Sequence, residues 1–267
     1  MLAGLRERQG EPIAPTRDAA TIVLLRDGEP GLEAYLLRRV ASMAFAAGMH
    51  VFPGGRVDPA DTAAHAHWFG TSPQDWSRPL SAEPPLGHGL VCAAVRETFE
   101  ESGVLLAGAG PDDVVDVSGP EWEAERIALL ERRESLSSLL ERRGLGLRAD
   151  LLRPWAHWIT PELEPRRYDT RFFVAALPPG QATRHVGGEA DATFWITPSE
   201  AVARFDRDEL AMMPPTIATL RELSEYATTA EVLAAAHERD IAPVLPRVVI
   251  EGEDVELLLP HEKGYES

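Results

Sequence analysis

The sequence predicts an α/β/α sandwich around a mixed sheet, and three observations carry that prediction. Short apolar, β-branched runs recur at Ala19 to Leu25, Leu32 to Arg39, His50 to Phe52, Leu151 to Thr160, Asp169 to Leu177 and Ala192 to Ile196. Gly89 to Leu106 reads as a helix with Val91, Cys92, Val95, Thr98 and Phe99 on one side, a face suited to packing on a sheet. Helices opened by Pro198, by Pro214-Pro215 and by Thr229 then gather near the C-terminus, where they can cover the other face of the sheet.

Taken in order, residues 1–18 are polar and contain proline, and read as a loose arm. Residues 19–260 read as one enlarged domain and 261–267 as a tail. The first two runs flank Arg26-Asp27-Gly28 and form a hairpin. A small-residue loop, Val40 to Met49, leads into the strand His50 to Phe52 and the turn Pro53-Gly54-Gly55, whose glycines let a backbone carbonyl come close to a ligand. Residues 62–88 hold His65, His67, Trp68, Trp76 and His88 in no helical or strand period and are expected to be a surface excursion, with both early histidines at the surface rather than on a metal.

Beyond the central helix, 120–145 is a helical elaboration, with Glu121 to Arg143 expected as one long charged helix. Its stripe is Ile127, Leu130, Leu136, Leu139 and Leu140. Such a helix could cap a cleft or serve a subunit contact in a homodimer; a solvated helix packed by one stripe is the simpler reading. The last two strands are joined by a Pro- and Gly-rich loop carrying His185 and Glu189. A helical part over 198–240 and a final β-like segment, Val248 to Leu259, complete the chain.

Composition narrows the function. The 267 residues carry a formal net charge of −17, and Lys263 is the only lysine, so the surface repels nucleic-acid backbones and no nucleic-acid partner is expected. Small anions remain possible where a divalent ion and local arginines reverse the field. Cys92 is the single cysteine, which excludes disulfides and thiolate zinc modules within the chain. No apolar run is long enough for a membrane span and no signal-peptide core is seen, so a soluble cytoplasmic protein without a membrane partner is expected.

The central helix carries the chemistry. Glu97, Glu100 and Glu101 fall at i, i+3 and i+4, sharing one patch. Like charges so placed repel unless a cation sits among them, and oxygen ligands without His or Cys favour Mg²⁺ or Mn²⁺ over zinc. A solvated acidic face is the plain alternative for an E-x-x-E-E pattern alone. The flanking residues add more.

The run Arg96-Glu97-Thr98-Phe99-Glu100-Glu101-Ser102-Gly103-Val104 resembles the second half of the Nudix box, G-x5-E-x7-R-E-U-x-E-E-x-G-U, and Val51-Phe52-Pro53-Gly54-Gly55 resembles the strand and turn that open it. With Gly55 as the box glycine, Asp61 stands where the family has its first Glu. Residues 62–95 then lie between Asp61 and Arg96 where the pattern has seven, so the box carries an insertion. That layout is similar to a long-box branch of the Nudix hydrolases that includes a peroxisomal coenzyme A diphosphatase. The likeness extends over roughly Ala20 to Pro260 and includes Arg166 to Phe173.

The resemblance implies a Nudix-type α/β/α sandwich enlarged by the insertion and by C-terminal helices, acting on a small-molecule diphosphate by attack of water on phosphorus. It implies that Glu97, Glu100, Glu101 and the Gly55 carbonyl hold Mg²⁺ or Mn²⁺, with Arg96 fixing Glu97. Glu189 is the candidate for a further carboxylate from a later loop, with Glu162 and Glu164 behind it. Asp61 shortens a supporting side chain and leaves that position's role open. The coenzyme A diphosphatase flank L-L-T-x-R-(S/A)-x3-R-x3-G-x3-F-P-G-G is matched at Arg39, Gly48 and Phe52 to Gly55; Leu37 and Ala44 depart from it. This implies Arg39, Arg38 and Phe52 as substrate contacts and coenzyme A or acyl-CoA as substrate. ADP-ribose or dinucleotides are the alternative, and a non-catalytic nucleotide sensor on the same fold is the alternative of another class.

Overall fold

A computed structural model describes residues 8, 10–40, 46–63, 67–184, 190–251, 254–260, 262, 263 and 265. At its centre β1 (Thr16–Asp27) and β2 (Leu32–Arg39) form the expected antiparallel hairpin. Two short strands follow, β3 (His50–Val51) pairing with β2 and β4 (Gly54–Arg56) pairing with β1. β8 (Arg153–Ile159), β9 (Arg167–Ala176), β10 (Ala190–Ile196) and β11 (Pro243–Val244) complete the sheet in the order β10-β2-β1-β9-β8-β11. β1 runs parallel to β9, and β11 to β8, while the other pairs are antiparallel, so the sheet is mixed.

Period-two alternation makes the layers. Ile22, Leu24, Phe173 and Ala175 face one core, with the apolar side of α3 (Pro84–Ser102) and the helices α2 (Ser77–Leu80), α4 (Pro120–Leu130) and α5 (Leu136–Arg143) packed over them. Val23, Leu25, Phe172 and Val174 face the other, covered by α6 (Pro198–Asp206), α7 (Pro214–Leu223) and α8 (Thr229–His237). The expected α/β/α sandwich around a mixed sheet is the observed fold. β1 begins at Thr16, within the stretch expected as a loose arm, and Arg167 donates to the Ala14 carbonyl at 2.9 Å.

Two expectations are corrected. Residues 62–88 are only in part a surface excursion. After α1 (Pro59–Thr62), the strand β5 (His67–Phe69) pairs with β7 (Gly146–Arg148), which also pairs with β6 (Ala107–Gly108). Trp76 is 2% exposed and meets Phe173 edge-on at 5.8 Å, Leu80 is equally buried, and Arg171 donates to the Leu80 carbonyl at 3.0 Å. Trp76 and Leu80 thus anchor the insertion to the core, while His67 and most of its other described residues are exposed or half-buried.

The helix expected over 121–143 is two helices. The chain turns at Arg132, which has a φ of 56°, and restarts at Ser135, whose hydroxyl accepts the Ser138 N–H as an N-cap. Of the expected stripe, Leu136, Leu139 and Leu140 lie in the core beside α3, joined there by Leu129 and by Trp122, which is edge-on to Phe99 at 6.2 Å, whereas Leu130 is exposed. The β-like segment expected over Val248 to Leu259 is observed as a hairpin of β12 (Arg247–Glu251) and β13 (Asp254–Leu258).

Candidate active site

The central helix is longer at its N-terminus than its sequence pattern suggested, starting at Pro84, and is capped by Gly103 at φ 75°. It is also buried nearly all round, from Gly87 to Arg96 and again at Thr98, Phe99, Glu100 and Ser102. The acids therefore do not look into open solvent. They line a cleft of about 1470 Å³ between the sheet, α3, the α4–α5 corner and the start of α7.

Arg96 organises one side of it. Its guanidinium donates twice to Asp61, at 3.0 and 2.9 Å, to Glu97 Oε1 at 2.8 Å, to Glu100 Oε1 at 3.2 Å and to the Arg56 carbonyl at 2.9 Å. Asp61 also accepts the Asp58 N–H at 2.8 Å, closing the first turn of α1. The shorter acid thus still reaches Arg96 with both of its oxygens. Burial works against the Arg96 charge, but Asp61, Glu97 and Glu100 outweigh it and raise its pKa.

Glu101 accepts the Gly54 N–H at 2.8 Å, which pins the helix to the glycine turn. Gly55 lies against Glu97 so closely that a Cβ there would stand 2.3 Å from Oε1. Only glycine leaves its backbone beside that carboxylate. Burial pushes the Glu97 carboxyl up to about 7, with Arg96 pulling it down and Glu100 pushing it further up; burial likewise raises Glu100.

Among the described residues no three His, Cys, Asp or Glu side chains converge as a ready-made metal cage. The reason is visible in the contacts: Arg96 holds one oxygen each of Glu97 and Glu100, while Glu101 is turned to the Gly54 N–H. The donor set still fits a hard divalent ion. It offers carboxylate oxygens, a backbone cradle that a Cβ would fill, and a desolvated cluster of like charge that a cation relieves.

Other predicted residues divide. Arg39 and Phe52 line the cleft, Phe52 from a buried position. Arg38 does not line it; its exposed guanidinium is paired with Asp191 at 2.6 Å, because alternate residues of β2 point to opposite faces. Glu164 lines the cleft from the β8–β9 loop, and burial raises its carboxyl; Glu162 is not among the lining residues. Glu189, His185, His65 and Ala44 lie outside the described residues.

One contributor had no signal in the sequence. Arg126 of α4 is 3% exposed, pairs with Glu123 at 2.6 Å and donates to the Glu100 carbonyl at 2.8 Å. It braces the last turn of α3, yet in sequence it is one charge in a charged helix.

Comparison with known proteins places this geometry. A family model described as the NUDT19 Nudix domain matches residues 85–223. The acyl-coenzyme A diphosphatase NUDT19 of Gallus gallus is 28% identical over 93% of this chain and 79% of its own length, and that of Homo sapiens 27% identical over 88% and 72%. The crystal structure of a Nudix hydrolase from Alicyclobacillus acidocaldarius superposes with a TM-score of 0.71 at 30% identity, covering 84% of this chain and 97% of that one.

Proposed function

The chain belongs to the NUDT19 Nudix domain family and is a Nudix hydrolase, and from that premise we propose that it is a Mg²⁺- or Mn²⁺-dependent diphosphatase of coenzyme A or acyl-CoA. The products would be 3′,5′-ADP and 4′-phosphopantetheine or its acyl form. The observation that carries the reading is the clasp of Arg96 on Asp61, Glu97 and Glu100 beside Gly54-Gly55, which holds three carboxylates on one wall of a cleft large enough for such a substrate.

A divalent ion, when bound, neutralises the diphosphate and lowers the pKa of a water. Glu97, Glu100, Glu101 and the Gly55 carbonyl would hold it. Arg96 keeps Glu97 and Glu100 oriented, and Arg126 holds the backbone beneath Glu100. Arg39 supplies a cation for a substrate phosphate. Hydrolysis then adds water oxygen to one phosphorus, breaks the bridging P–O bond and releases the second phosphate with that bridging oxygen.

Substrate class rests on two supports. The curated relatives are named acyl-coenzyme A diphosphatases, and the cleft lining includes the apolar side chains of Trp158, Ile159, Phe172, Pro214 and Pro215. A lining of that kind suits a pantetheine or acyl arm better than a second nucleoside with its many hydroxyls. The test is a panel of coenzyme A, an acyl-CoA, ADP-ribose and NADH with Mg²⁺, with and without EDTA, products identified by mass. The highest kcat/KM on coenzyme A or the acyl-CoA, abolished by EDTA, is expected. A higher kcat/KM on ADP-ribose or NADH overturns the substrate, and full activity in EDTA overturns the metal.

A further inference from the structure

Besides Arg39 and Arg96, four arginines among the described residues line the cleft. Arg126 is buried and committed to Glu123 and the Glu100 carbonyl. Arg133 is held by Glu131 at 2.6 Å. Arg56 directly follows Gly55, at the end of the cleft where the diphosphate is cut. Arg132 differs from all three. Its side chain is 67% exposed, and its acid partner, Asp58 Oδ2, lies 3.6 Å away, beyond a direct hydrogen bond.

Its backbone is unusual as well. Arg132 occupies the left-handed region at φ 56°, a conformation that costs an L-residue energy and recurs at functional sites. The conformation closes α4 and brings the side chain to the rim of the cleft. Asp58 is the N-cap of α1, whose Asp61 clasps Arg96, so Arg132 stands across that short helix from the carboxylates.

We propose that Arg132 recognises a phosphate monoester that the substrate carries apart from the diphosphate to be cut. The inference rests on the reading of the cleft as a site for nucleoside-diphosphate-linked substrates. In a chain of net charge −17, a dianion entering beside Asp58 and Asp61 needs a local cation, and a metal at the carboxylates serves the diphosphate only. Arg132 can exchange its long, solvent-screened pair with Asp58 for a two-pronged charged hydrogen bond to phosphate. It is thus a specificity residue contributed by the α4–α5 corner.

The test pairs binding with turnover. Affinities of 3′,5′-ADP and 5′-AMP are measured by calorimetry on wild type, Arg132→Gln and Arg133→Gln, and kcat/KM is measured for coenzyme A and dephospho-coenzyme A. Wild type is expected to favour the compound with the additional phosphate monoester, 3′,5′-ADP over 5′-AMP and coenzyme A over dephospho-coenzyme A, about tenfold in both assays, the size of one charged contact, with the turnover difference in KM rather than kcat. Arg132→Gln brings both ratios to within about twofold, whereas Arg133→Gln keeps them although it removes the same net charge. Arg132→Asn, better suited to positive φ, replaces the Gln variant if that one misfolds. Ratios that survive loss of Arg132, or that are absent in wild type, overturn the proposal. Failure to cleave coenzyme A while the binding ratio behaves as expected overturns the substrate reading and leaves Arg132 in its role.

Discussion

Arg96 clasps Asp61 through two hydrogen bonds, Nε to Oδ1 at 3.0 Å and Nη2 to Oδ2 at 2.9 Å, and so ties together the two halves of a box that the insertion separates. Both side chains are buried, with Asp61 3% and Arg96 8% exposed. The same guanidinium orients Glu97 and Glu100, so the clasp sets the carboxylates as well as the fold.

Asp61→Asn is therefore expected to cost both stability and activity. Removing one partner of a buried ion pair costs about 3–5 kcal/mol, and Arg96 keeps Glu97 and Glu100, so the lower end applies, about 3 kcal/mol. Loss of an orienting contact of this kind lowers activity about 10- to 100-fold. Urea unfolding and kcat at saturating metal measure the two. A variant with unchanged midpoint and unchanged kcat would remove Asp61 from the site.

Gly55→Ala separates site from fold. The added methyl would meet Glu97 Oε1 at 2.3 Å and its Cδ at 2.4 Å, the far end of a flexible side chain rather than backbone. The chain should fold with a melting temperature close to wild type while metal affinity drops about tenfold, about 1.4 kcal/mol. Calorimetric titration with Mn²⁺ decides; wild-type affinity would show that Gly55 is only a turn residue.

Much of this was legible in the sequence, and the failures share one cause. The β1–β2 hairpin, the glycine turn and the three acids of α3 are local patterns, fixed by spacing within one element. The anchoring of 62–88 to the core is not local. Trp76 and Leu80 pack singly onto α3 and β9, and no period marks them. Arg126 and Arg132 sit in a charged stretch whose role depends on where its corner lands, and the break at Arg132 has no glycine or proline to announce it. The raised pKa of Glu97 likewise comes from its burial, with Glu100 and Asp61 adding to it against the pull of Arg96, which spacing does not show.

Trp76 tests the corrected insertion. Trp76→Ala should destabilise by about 3–5 kcal/mol, as for any large buried ring. Trp76→Phe should cost far less, because the indole N–H has no hydrogen-bond partner among the described residues. Chemical unfolding of both variants measures this, and a negligible effect of Trp76→Ala would return the segment to the surface.

Metal binding should release a proton near neutral pH. Without metal the Glu97 carboxyl is raised from 4.5 to about 7 by burial, facing Arg96, Glu100 and Asp61. It is mostly protonated at pH 6 and mostly ionised at pH 8.5, whereas a metal ligand must be ionised. Mn²⁺ titrated in buffers of different ionisation enthalpy should show close to one proton released at pH 6 and little at pH 8.5, with affinity rising between them. Because the folded value lies above the unfolded one, the stability linked to Glu97 is full below pH 4.5 and is lost as pH rises through 7 in the metal-free protein. Proton uptake on binding at pH 6 would contradict the assignment.

The most direct measurement is kcat/KM for coenzyme A at saturating Mg²⁺ in wild type and Glu101→Gln, with products identified by mass and folding checked by circular dichroism. Glu101 links the catalytic helix to Gly54 and is one of the three acids proposed to hold the ion. Wild type should yield 3′,5′-ADP and 4′-phosphopantetheine, and the variant should fold normally while losing orders of magnitude in kcat/KM. Turnover retained within a few-fold in Glu101→Gln would contradict the account.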